Sequence, residues 1–163
     1  MNLVPKKMFF TSGIGRHSEH LESFEAALRN AGIEKFNLVT VSSILPPNCK
    51  IVSKEEGLSE LYPGEIVFCV LSRISSNEPE DQITASIGCA VPSDQNTIGY
   101  ISEYHGAGQT KTSAGNYAEK LAREMYQSWT EKYPLKTTHI AITAEADDKL
   151  KWTTAVAAAI FII

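Results

Sequence analysis

Asn37-Leu38-Val39-Thr40-Val41-Ser42-Ser43-Ile44-Leu45-Pro46-Pro47 is the stretch from which the rest of the chain is read. Residues 36–41 are rich in β-branched side chains and read as a strand. Pro46 and Pro47 lack the N–H that a strand ladder needs, so the strand ends near the serine pair. Two serines at a strand end ordinarily form a solvated turn. Here apolar residues flank them on both sides, and the double proline fixes the path of the chain beyond. A hydroxyl held in such a bend can reach the carbonyl of the preceding residue, which is what backbone self-cleavage requires.

On the N-terminal side, residues 7–14 read as a strand, and Ser12-Gly13-Ile14-Gly15 as a strand-to-loop connection. Leu21, Phe24, Leu28 and Ala31 recur at spacings of three and four, which predicts a helix with that stripe inward and Gly32 as its C-terminal cap. On the C-terminal side, residues 50–64 are charged and close on the turn Tyr62-Pro63-Gly64. Residues 65–74 and 97–105 read as strands, as do residues 83–91, where Ile83, Ala85, Ile87, Cys89 and Val91 alternate. Residues 106–112 read as a loop. Tyr117, Leu121, Met125 and Trp129 mark a long amphipathic helix that runs to about Lys132. Residues 139–143 read as a strand. The alanine-rich end, 152–163, is ambiguous between helix and strand and is taken as a strand. Helices separated by runs of strands favour an α+β fold, a layered αββα sandwich with mostly antiparallel sheets, over a doubly wound one. No repeat or linker divides the chain, so residues 1–163 are read as a single domain.

The net charge of −4 disfavours a nucleic-acid partner, which asks for a basic face. Cys49, Cys69 and Cys89 form no C-x-x-C pair and read as reduced, buried thiols. His17, His20, His105 and His139 lack zinc-site spacing, so no metal is expected. Ser12-Gly13-Ile14-Gly15 lacks the third glycine of a dinucleotide fingerprint, and Gly106-Ala107-Gly108-Gln109-Thr110-Lys111 lacks Walker spacing. Trp129 and Trp152 read as core or interface. The N-terminus has no signal-peptide pattern, and the apolar tail 153–163 is about half a membrane span. The reading is a soluble, cytoplasmic protein with no membrane partner.

The serine segment, taken with Ala27-Leu28, Asn30-Ala31-Gly32-Ile33, residues 85–92, Glu103-Tyr104 with Gly106, Ala122-Arg123-Glu124-Met125 and the alanine-rich end, resembles the pyruvoyl-dependent arginine decarboxylases over nearly the whole chain. The resemblance implies that the Ser43 hydroxyl attacks the Ser42 carbonyl and turns the amide into an ester. Elimination and loss of ammonia then leave a covalent pyruvoyl group at position 43. Two chains would result, 1–42 and 43–163. The pyruvoyl group would serve as the electron sink for decarboxylation. The resemblance further implies a homotrimer or a dimer of trimers with sites between subunits.

Glu103 matches the family's proton donor. Its apolar neighbours, Ile101 among them, are expected to keep the carboxyl protonated to higher pH, although a Glu on a solvent face is the ordinary alternative. Asn37, six residues before Ser43, matches an active-site amide that orients substrate or polarises a carbonyl; an Asn beside a turn is otherwise common. Glu25 matches a position where a member of the family carries an Asp that binds the guanidinium end of the substrate. It is one methylene longer, Glu22 could compete for the role, and a plain boundary residue is the alternative. The implied reaction is L-arginine to agmatine and carbon dioxide. Lysine, ornithine or histidine as substrate, and an uncleaved relative that binds or assembles, remain open.

Overall fold

The computed structural model describes residues 2–146, 149 and 151–163. In chain order the elements are β1 (Lys7–His17), α1 (His20–Ala31), β2 (Asn37–Thr40), β3 (Ile44–Leu45), β4 (Lys50–Ile51), α2 (Lys54–Ser59), β5 (Ile66–Ser76), β6 (Gln82–Val91), β7 (Gly99–Ala107), α3 (Lys111–Thr130), β8 (Lys136–Glu145) and β9 (Trp152–Ile162). They form two sheets, ordered β2-β5-β9-β1-β4 and β3-β7-β6-β8. Pairing is antiparallel except between β1 and β4 and between β2 and β5. Helix α1 packs on β1 and β9, and α3 on β6, β7 and β8, so one helix covers the outer face of each sheet. This is the αββα sandwich.

One apolar cluster fills the space between the sheets, with Met8, Val70, Ile87, Ile101, Ala157 and Phe161 among its members. A second lies beneath α1, around Phe9, Ala27, Ile33, Val67, Val156 and Ile160. The ambiguous end of the chain is a strand because β9 runs in mid-sheet between β5 and β1. Residues 153–162 are all buried. A strand covered on both faces needs no alternation, and its alanines let layers approach closely.

Two expectations are corrected. Ser12-Gly13-Ile14-Gly15 is strand interior, paired along its length with residues 154–157 of β9, and not a connection. Its glycines serve the helix above: a Cβ on Gly13 would lie 2.3 Å from the Ala27 carbonyl oxygen, and one on Gly15 would lie 2.2 Å from that of Ser23. Helix α1 keeps Phe24, Leu28 and Ala31 of the expected stripe against the core, but both helices bury their small residues most deeply. Helix α1 buries Ser23, Ala27 and Ala31, and Leu21 is exposed. Helix α3 buries Ala114, Gly115, Ala118, Ala122 and Tyr126, while Tyr117 and Trp129 face outward. Close packing selects the small face. Gly88 of β6 shows why, since a Cβ there would meet the Ala118 carbonyl oxygen at 2.2 Å.

Smaller differences sit at element ends. Helix α3 starts at Lys111, inside the expected loop, where the Thr110 hydroxyl accepts the Ser113 N–H as an N-cap. The charged stretch 50–64 holds α2, capped in the same way by Ser53. Gly32 takes φ 78° as the C-cap of α1, as its position predicts.

Candidate active site

The chain leaves the first sheet by β2 and enters the second by β3, and both are edge strands. Ser42 and Ser43 make the crossing. They are anchored from both sides: the Val41 N–H donates to the Cys69 carbonyl at 2.9 Å, and the Ile101 N–H donates to the Ser43 carbonyl at 2.7 Å. The Ser42–Ser43 peptide bond lies between those anchors. Ser42 is exposed and Ser43 half-buried. An open apolar depression of about 300 Å³ borders Ser42, lined among others by Val41, Ile44, Pro46, Phe68 and Phe161.

Glu103 lies two residues along β7 from Ile101. The Ser102 hydroxyl donates to the Ala118 carbonyl at 2.5 Å, so Ser102 faces α3. By strand alternation Ile101 and Glu103 face the first sheet. Ile101 is fully buried in the inter-sheet core, whereas Glu103 is exposed. The expected apolar enclosure of Glu103 is therefore absent within one chain. Its carboxylate still acts on this region: burial pushes the Cys69 thiol up to about 11, and the Glu103 charge adds to the shift. Cys69 is the residue whose carbonyl anchors Val41. The structure thus brings Ser42, Ser43 and Glu103 to one side of the sandwich.

Asn37 and Glu25 are not brought there by the same chain. Asn37 opens β2 and is about 10 Å along the strand from Thr40. Its side-chain Nδ2 donates to the Gly64 carbonyl at 2.8 Å. Glu25 lies on α1, over β1 and β9, and its Oε1 accepts from the Arg29 guanidinium at 2.8 Å. Glu22, the competing carboxylate, pairs with His17 at 3.0 Å. The cysteines are free thiols, with Cys69 and Cys89 buried. Among the described residues no group of three His, Cys, Asp or Glu side chains could hold a metal ion. Among them, too, no helix is long and apolar enough to cross a membrane.

Two features escaped the sequence reading. One is the Ile101 N–H, a backbone group that no residue type announces. The other is a polar clamp between α3 and β8, where Glu119 accepts from Thr137 Oγ1 at 2.5 Å and meets His139 Nδ1 at 2.5 Å. The signal available was Gly115, since a Cβ there would lie 2.3 Å from the His139 ring.

The family model described as pyruvoyl-dependent arginine decarboxylase matches residues 7–163. This chain belongs to that family. A protein named pyruvoyl-dependent arginine decarboxylase from Methanocella arvoryzae is 65% identical over 162 residues, 99% of this chain and 98% of its own. Pyruvoyl-dependent arginine decarboxylase 1 of Methanosarcina acetivorans is 60% identical over 161 residues, 99% of this chain and 98% of its own. The protein of the same name from Archaeoglobus fulgidus is 53% identical over 161 residues, 99% of this chain and 100% of its own. A family of this kind works through a covalently bound pyruvoyl group. The residues present fit such a group at position 43. The carbonyl oxygen of Ser43 already takes an N–H at 2.7 Å, and the apolar depression lies beside Ser42.

Proposed function

We propose that this chain converts L-arginine to agmatine and carbon dioxide, using a pyruvoyl group made from Ser43 when the chain cuts itself at Ser42–Ser43. The observation that carries the reading is the serine pair itself. It spans two edge strands, is anchored at Val41 and at Ser43, and leaves the intervening bond accessible. The names of the relatives support arginine as substrate.

In the cut, Ser43 Oγ bonds to the Ser42 carbonyl carbon, the C–N bond breaks, and the amide becomes an ester. Elimination then breaks the Cβ–O bond, releases Ser42 as a carboxylate and leaves a dehydroalanine. Addition of water expels ammonia and leaves a ketone on the new N-terminus of 43–163. When bound, the pyruvoyl group supplies the electron sink for loss of carbon dioxide. Glu103 delivers a proton to the substrate carbon. Its position on the inner face of β7, beside the crossing, suits that task.

Asn37 and Glu25 act from a neighbouring subunit in this reading, since one chain holds them away from Ser43. A homotrimer, or a pair of trimers, with sites between subunits meets that need. The free edges of β2 and β3 support it, as do the exposed apolar residues Val39, Val41, Ile44 and Ile66 around them. The whole chain acts as one domain, in the cytoplasm. Denaturing mass spectrometry tests the core of the proposal. Wild type gives two chains, 1–42 and 43–163, and Ser43→Ala gives one. Cleavage of Ser43→Ala at the same bond sinks the mechanism. Carbon dioxide release from arginine, lysine, ornithine and histidine tests the substrate, and a preference for any but arginine overturns it.

A further inference from the structure

We propose that the backbone N–H of Ile101 is a catalytic hydrogen-bond donor, stabilising negative charge on the carbonyl oxygen of residue 43 during decarboxylation. The inference rests on the reading of Ser43 given above. Ile101 N lies 2.7 Å from that oxygen. Self-cleavage alters Ser43 on the N-terminal side of its own carbonyl: the nitrogen is lost, Cα becomes the ketone carbon and Cβ its methyl. The carbonyl itself, and its amide bond to Ile44, keep all their atoms. The donor seen here therefore faces an oxygen conjugated with the new ketone. The electron pair freed when the bond from substrate carbon to carboxylate breaks would reach that oxygen through the electron sink that the bound pyruvoyl group supplies. Protonation of the substrate carbon draws the pair back. A donor aimed at the oxygen is worth more at the charged stage than before it, which is the condition for accelerating the step.

The donor is also fixed in advance. It belongs to the antiparallel pairing of β3 with β7, where Ile44 faces Tyr100 and Leu45 faces Gly99. The Ile101 side chain is fully buried and locks its own backbone into the core. Leu45 is buried as well, and a Cβ on Gly99 would lie 3.0 Å from it and 2.4 Å from the Ala90 carbonyl oxygen, so β7 can sit this close only with glycine there. The amide that the sequence suggested for polarising a carbonyl, that of Asn37, is bonded to Gly64. A backbone N–H held in a ladder needs no reorganisation when charge appears.

The test replaces Ile101 by its α-hydroxy acid counterpart, which turns one amide into an ester, removes that N–H and leaves the Tyr100 carbonyl a weaker acceptor. The chain can be assembled from segments joined at Cys49, Cys69 and Cys89, which admits a single ¹³C label at the carbonyl of residue 43. Intact mass first establishes that the chain is cut. In the cut ester variant the labelled carbonyl stretch should move to higher frequency than in wild type. Its kcat should fall by about 10²-fold, the scale of one lost oxyanion donor, with KM nearly unchanged. An unmoved band with unchanged kcat overturns the proposal. Should the ester chain fail to fold or cut, labelled wild type decides alone. Its carbonyl band must lie below that of the same processed chain in denaturant, and coincidence of the two overturns the role. A wild-type chain left uncut at Ser42–Ser43 would remove the reading of Ser43 instead, and this role with it.

Discussion

In the proposed function Glu103 would serve a strand and a reaction together. Alternation along β7 turns it to the same face as Ile101, but at mid-strand, beyond the short pairing of β7 with β3, it is in solvent while Ile101 is sealed in the core. Glu103→Gln keeps shape and hydrogen bonding but removes the transferable proton. Turnover should drop by about 10²-fold or more, while the cut at Ser42–Ser43 proceeds. Near-normal turnover would take Glu103 out of the mechanism. Glu25 differs in that it is already paired. Its partner Arg29 lies one helical turn away and both side chains are substantially exposed. Such a pair contributes only a few tenths of a kcal/mol, so a substrate guanidinium can replace it. Losing the carboxylate from a desolvated charge pair costs on the order of 2–5 kcal/mol. Glu25→Gln should weaken arginine use by tens-fold or more and leave self-cleavage intact. Equal arginine turnover by the variant and wild type would end that assignment.

At the scale of elements, the attachment of α3 to the second sheet depends on polar contacts as well as on packing. Glu119 is bound by Thr137 and His139 of β8. Partial burial opposes its ionisation, but those two bonds and the electrostatic pull of His139 and Arg123 outweigh it and hold the carboxyl below the usual range. A carboxyl depressed in the folded state contributes stability above its unfolded pKa, near 4, and loses that contribution as pH falls through the lower folded value. The melting temperature of wild type minus that of Glu119→Gln should therefore be largest near neutrality and shrink below about pH 4. A difference that does not change between pH 7 and pH 3 would show that the clamp is not ionic. The same elements show what was legible. Strand positions followed from β-branched runs and alternation, and both long helices from their spacing. That the small residues would lie deepest did not follow, because the larger apolar stripe and the smaller one carry the same period. Only the distance between layers, set by Gly13, Gly15 and Gly88, selects the smaller.

At the scale of the whole molecule, the two sheets end on the same side in the edge strands β2 and β3, with the serine crossing between them. Edge strands carry unpaired backbone donors and acceptors and invite another chain. Ile66, beside Asn37 in the β2–β5 pairing, is 63% exposed, an unusual place for a large aliphatic residue at a sheet margin. If subunits meet there, Ile66→Lys should lower the assembled mass in light scattering and depress turnover. Because the position is exposed in one chain, folding of the monomer should change by no more than about 0.5 kcal/mol. A wild-type protein that runs as a monomer, or a variant that assembles normally, would move the interface elsewhere.

The sequence by itself determined most of the strand positions along the chain, the place where β2 stops and the identity of the serine pair, because these depend on neighbours within a few residues: β-branched side chains, prolines without an N–H, two adjacent hydroxyls. It also carried the family pattern, which is a property of residue identities. Only the tertiary structure decided that Ser42 and Ser43 bridge two sheets, that Asn37 and Glu25 lie away from them in one chain, and that a backbone N–H of β7 meets the Ser43 carbonyl. Those facts depend on residues far apart in the chain, Ser43 and Ile101 among them, coming into register. A backbone donor is the same atom pair at every non-proline residue, so no pattern of side chains can mark it until the strands are paired.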